Sequence, residues 1–96
     1  MAFDVVVDPV AQADLGRIRK YERVAVLDTI ERLLTTQPTD ESVRAIKRLD
    51  PPTPTQFQLR VDDYRVYYDV SEEEKKVTIL MVREKGTQTT AEVTRS

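Results

Sequence analysis

The chain has no cysteine among its 96 residues, which excludes disulfides, thiol nucleophiles and thiolate metal sites. It has no histidine either. General acid–base chemistry near neutral pH then falls to carboxylates, lysine, tyrosine, arginine-assisted groups or the substrate itself. Neither a transition metal nor any other cofactor is expected from such a residue set. No apolar run reaches the length of a membrane span, so no membrane association is expected. The opening MAFDVVVDPV carries two acids and no base, which does not fit a signal peptide, and a cytoplasmic location is expected. Internal repeats and low-complexity tracts are absent.

What is present is a balanced composition, 40% apolar and 33% charged, which reads as one globular domain over residues 1–96. The net charge of −2 works against a nucleic-acid partner unless the charges are segregated, because phosphate binding rests on a basic surface.

Alternation of Phe3, Val5 and Val7 with Asp4, Val6 and Asp8 predicts a short first strand. Asp8-Pro9 predicts a helix start, with Asp as cap and Pro at the first helical position. Ala11, Leu15 and Ile18 share one face of that helix. A second helix follows, with Val24, Leu27, Ile30 and Leu34 on one stripe and Val26 and Leu33 beside it, ended by Gln37-Pro38. The stretch Thr39–Thr55 is irregular and proline-rich; within it Arg44–Leu49 is either a helical turn or a strand edge. Three strand-like segments close the pattern: Phe57–Val61, Tyr64–Val70, and Val77–Glu84, the last apolar on both faces as a central strand would be. Residues 87–96 form a polar tail. The fold class is α+β: a strand, a helical hairpin, then a three-strand antiparallel meander, with the helices on one face of a small sheet and the other face open.

Asp62-Asp63 fits a two-residue hairpin turn, which pairs Val61 with Tyr64 and Arg60 with Arg65. Residues directly opposite share a face, so Arg60 and Arg65 stand together on the open side, with Gln58 and Tyr67 next. If Ser71 pairs with Lys76, Tyr67 faces Leu80, Arg65 faces Val82 and Glu84 joins the open face, with Lys47 and Arg48 arriving from the preceding segment. Arginine suits phosphate because its planar fork donates two hydrogen bonds at once. The acids lie elsewhere: Asp28 and Glu31 on the helices, Glu72–Glu74 in a turn. The competing reading is a solvated face on which Arg60 pairs with Asp62 and Arg65 with Asp63 or Asp69. Tyr64 and Tyr68 fall on the apolar face and read as core.

The run Leu59-Arg60-Val61-Asp62-Asp63-Tyr64-Arg65-Val66-Tyr67-Tyr68-Asp69-Val70, followed by Val77-Thr78-Ile79-Leu80-Met81-Val82, resembles the core signature of the RelE/ParE toxin superfamily. Ile46-Lys47-Arg48-Leu49 is similar to the family's basic stretch before the meander, and Asp8-Pro9 to its opening. The resemblance runs from about Phe3 to Lys85. It implies the toxin of a type II toxin–antitoxin pair, with a cognate antitoxin as partner in a hetero-oligomer. In the RelE branch it implies metal-independent cleavage of mRNA in the ribosomal A site, which inhibits translation: the 2′-hydroxyl attacks the adjacent phosphate. On that resemblance Arg65 matches the catalytic arginine. Glu84 and Lys85 fill the position often held by His or Arg, as base and phosphate-binding cation. Lys47, Arg48, Arg60, Tyr67 and Arg83 contact RNA. The terminal tyrosine of many RelE members has no counterpart; Thr94 takes its place. That loss keeps two other readings open, a ParE-like inhibitor of DNA gyrase with no chemistry of its own and an interaction module that retains only the fold.

Overall fold

The computed structural model describes residues 2–53 and 55–84. The elements are β1 (Asp4–Val7), α1 (Pro9–Gly16), α2 (Lys20–Thr29) running on into a π-helical turn (Ile30–Leu34), β2 (Ile46–Arg48), β3 (Phe57–Val61), β4 (Tyr64–Ser71) and β5 (Lys76–Glu84). The Asp8 carboxylate accepts the Val10 N–H at 3.0 Å and Pro9 occupies the first helical position, so the expected cap is the one used. Within Arg44–Leu49, Ile46–Arg48 forms a strand at the sheet edge.

The expected apolar stripe of α2 is only half inward. Ile30 and Leu34 are buried, but Val24 and Leu27 are 57% and 38% exposed, and Val26 takes the inward position. The inward set is Val26, Ile30 and Leu34, four residues apart each time. On a straight α-helix that spacing drifts around the axis; the wider π turn reverses the drift, and Leu34 stays on the inward side.

The strands form one sheet in the order β1-β5-β4-β3-β2, with β1 parallel to β5 and the other pairs antiparallel. Ala11, Leu15, Val26, Ile30 and Leu34 pack against Phe57, Leu59, Val66, Tyr68, Val77 and Ile79 in one core. Tyr68 is fully buried, stacks on Phe57 with centroids 5.5 Å apart, and donates its hydroxyl to the Pro38 carbonyl at 2.7 Å. Burial pushes its phenol well above the ordinary value. The Tyr64 phenol is pushed up to about 12 by burial first and then by its hydrogen bond to Glu22 Oε1 at 2.9 Å.

The Asp62-Asp63 hairpin has the expected register, Arg60 opposite Arg65 and Gln58 opposite Tyr67. Asp62 takes φ 52°, a left-handed conformation that aspartate tolerates. The β4–β5 register differs from the expectation. Ser71 does pair with Lys76, but a bulge at Leu80 shifts the pairing, so Tyr68 faces Ile79 while Tyr67 faces Met81. Beyond the bulge Arg65 therefore faces Arg83 rather than Val82. A one-residue shift exchanges the two faces of a strand. Arg83 is thereby turned to the open side, and Val82 and Glu84 to the helical side.

Among the described residues no helix is long and apolar enough to cross a membrane.

Candidate nucleic-acid interface

Two rows of side chains cross the sheet face opposite the helices. The first is Arg60 on β3, Arg65 on β4 and Arg83 on β5, each directly opposite the next. The second is Lys47, Gln58, Tyr67 and Met81, one from each of β2, β3, β4 and β5. Side chains so placed on adjacent strands have Cβ atoms roughly 5 Å apart. Three guanidiniums in one row repel one another until something anionic lies across them.

The expected local ion pairs do not form. Among the described residues neither Arg60 nor Arg65 has a carboxylate within 4.0 Å. Asp69 instead accepts the Gln56 N–H at 2.7 Å. Arg60 is exposed and Arg65 half-buried, and neither charge has an acidic partner among the described residues.

Arg83 is tethered. Its Nη1 bonds to Asp14 Oδ2, and the same carboxylate accepts the Val82 N–H at 3.0 Å and binds Arg17 through Oδ1 at 2.8 Å. Asp14 is 6% exposed, on the inward side of α1 beside Ala11 and Leu15. It closes the edge of β5 just past Ile79, where pairing with β1 stops. The guanidinium has five N–H donors in a fixed fork, so one held nitrogen leaves others for a ligand. Sequence reasoning missed Asp14; the signal was an acid inside an otherwise apolar helix face.

Two expected site residues fall elsewhere. Arg48 pairs with Phe57, so it lies on the helical side, 4.7 Å over that ring and 3.6 Å from Glu41. Period-two alternation permits only one of Lys47 and Arg48 on the open face, and Lys47 has it. Glu84 pairs with Tyr64 and helps hold that phenol protonated, so it is removed from Arg65 by the bulge. Lys85, with Thr94, lies outside the described residues. Lys47, Arg60, Arg65, Tyr67 and Arg83 are brought together.

The open face is also less open than two helices alone would leave it. The loop after β2 folds back across it: the Leu49 N–H donates to the Gln56 carbonyl at 2.9 Å, and Leu49, Thr53 and Thr55 wall a cavity with Tyr67, Met81 and Arg83. Among the described residues no three acids converge as a cation site.

The family model described as the ParE toxin of the type II toxin–antitoxin system parDE matches residues 5–88. No curated protein sequence matches the chain. Solved structures that resemble it include the toxin–antitoxin complex RelBE2 of Mycobacterium tuberculosis, at 24% identity and TM-score 0.69, covering 88% of this chain and 99% of that one. The archaeal RelE–RelB complex of Pyrococcus horikoshii gives 23% and 0.70, covering 90% and 98%. The intact RelBE complex of E. coli gives 18% and 0.68, covering 86% and 96%. At these identities the likeness is one of fold.

Proposed function

Because the chain belongs to the ParE toxin family of type II toxin–antitoxin systems, we propose that its toxicity is exerted on RNA, as a ribosome-dependent, metal-independent mRNA endonuclease that stops translation. The observation that carries this reading is the row Arg60–Arg65–Arg83, two of whose charges lack an acidic neighbour among the described residues. A phosphodiester laid across the row relieves the repulsion and receives charge-assisted, bidentate hydrogen bonds. In the reaction the 2′-hydroxyl attacks the adjacent phosphorus, a P–O bond to the 5′ oxygen breaks, and a 2′,3′-cyclic phosphate and a 5′-hydroxyl remain. Arg65, at the centre of the row, is the residue assigned to the charge that builds on the phosphorane. Arg60 and Arg83 hold the flanking backbone and Lys47 the next phosphate. With no imidazole in the chain, rate enhancement rests on alignment and charge stabilisation. The test is to incubate the protein with programmed ribosomes and map mRNA ends. Cuts in the A-site codon are expected from the wild type and not from Arg65→Ala; intact mRNA, where an authentic A-site nuclease cuts, overturns the reading.

A second reading has its own support. The matching family model is of the ParE type, and the two rows hold no carboxylate or imidazole to act as a base. A toxin that inhibits DNA gyrase by binding needs neither. Loss of gyrase supercoiling at micromolar protein, with mRNA untouched, favours it.

In either case the proposed partner is a cognate antitoxin. The outer side of α2 exposes Tyr21, Val24 and Leu27, three residues apart on one face. Among the described residues β1 is an edge strand: Asp4 and Asp8 donate their N–H groups to the Lys75 and Ile79 carbonyls, so alternation turns the Val5 N–H outward. An amphipathic segment has apolar side chains for the stripe and backbone groups for the edge.

A further inference from the structure

Beside the arginine row lies a cavity of about 220 Å³ lined by Leu49, Thr53, Thr55, Tyr67, Met81 and Arg83. Its lining is almost wholly apolar, which sets it apart from the charged row next to it. Tyr67 and Met81, opposite each other on β4 and β5, belong to the sheet; Leu49, Thr53 and Thr55 come from the loop folded over it. We propose that this cavity is a nucleobase subsite, which receives one unstacked base of the strand whose phosphates lie on Arg60, Arg65 and Arg83. The inference rests on the RNA reading above and adds what that reading lacks, a place for a base.

Three observations favour a base. The cavity is smaller than the roughly 300–1,000 Å³ of pockets for larger ligands, which suits a single ring system. One of its residues, Tyr67, is of the type on which bases stack, an aromatic ring. Along each strand the cavity is two residues from the row, Tyr67 from Arg65 and Met81 from Arg83, or about 7 Å. A nucleotide with its phosphate on the row reaches that far with its base. With so little polar surface the subsite reads shape and stacking, so purines are preferred over pyrimidines and discrimination within each class is weak.

The chain has two methionines, Met1 and Met81, so Met81 is a built-in reporter. Protein labelled with ¹³C at the methionine methyls is titrated with hexaadenylate and with an abasic ribose-phosphate chain of the same length. The expected result is an upfield, saturable shift of the Met81 methyl with hexaadenylate alone, and about tenfold tighter binding of hexaadenylate than of the abasic chain. Tyr67→Phe keeps that difference and Tyr67→Ala loses it; if Tyr67→Ala fails to fold, the comparison of the two chains on the wild type still decides. Equal affinities with Met81 unmoved overturn the subsite and leave the phosphate-binding row standing. Binding of neither chain overturns the RNA reading and the subsite together. A Met81 methyl that moves with purified gyrase and not with RNA assigns the cavity to a protein side chain and overturns the nucleobase.

Discussion

Arg65 stands between two other arginines, an arrangement that destabilises the unliganded protein and favours whatever anion lies across it. If it stabilises a phosphorane, Arg65→Ala should lower cleavage by about 100- to 1,000-fold, the range for removal of one such donor, while thermal melts show the fold retained. Arg65→Lys should recover little of this, because a point charge lacks the planar fork. A rate within threefold of wild type for Arg65→Ala removes it from the chemistry. Asp14 belongs to the same scale. It satisfies the Val82 N–H and two guanidiniums from a nearly buried position, so Asp14→Ala should destabilise by about 1–3 kcal/mol in urea unfolding. An unchanged midpoint contradicts that role. The two residues differ in how they read from sequence. Arg65 was visible because a two-residue turn puts it opposite Arg60. Asp14 was harder to read: its place on the face of Ala11 and Leu15 marks it as inward-facing, but its partner is 69 residues away.

At the scale of elements, the β3–β4 hairpin was legible because alternating strands flank a turn that aspartate can make. The bulge in β5 was not. Val77–Val82 is apolar on both faces, so neither face declares itself; only the spacing of the buried residues, 77 and 79 and then 82, betrays the extra residue. That single residue decides whether Arg83 or Glu84 shares the row with Arg65. The loop over the open face was equally unreadable, since prolines restrict local dihedrals and carry no information on where a segment docks. The stripe of α2 was read in part: Ile30 and Leu34 turn in, while Val24 and Leu27 turn out with Tyr21. If those outward residues receive the antitoxin, Val24→Lys with Leu27→Lys should weaken its binding at least tenfold and change stability by less than about 0.5 kcal/mol per site, as exposed substitutions do. Undiminished co-purification with the neighbouring gene product rejects this surface.

At the scale of the whole molecule, a net charge of −2 conceals an uneven distribution: Lys47, Arg60 and Arg65 on one sheet face, Asp28, Glu31 and Glu72–Glu74 exposed elsewhere. Stability should depend on alkali through the buried phenols. Tyr64 ionises at about 12 when folded against an ordinary 10.0, and Tyr68 is also raised. Above pH 10 the unfolded chain loses phenolic protons that the folded chain keeps, so stability is flat below pH 10 and falls between pH 10 and 12. Phenolate absorbance from both residues should rise together with the loss of ellipticity; their titration in a chain with full native ellipticity contradicts the burial described. The most direct measurement of the central claim is the salt dependence of binding to a single-stranded RNA. Contacts from Lys47, Arg60, Arg65 and Arg83 predict that log K falls with log salt at a slope of about −3, and that Arg60→Ala or Arg65→Ala makes it shallower by about 0.7 each. A slope near zero, or one that neither substitution alters, contradicts a phosphate-binding face.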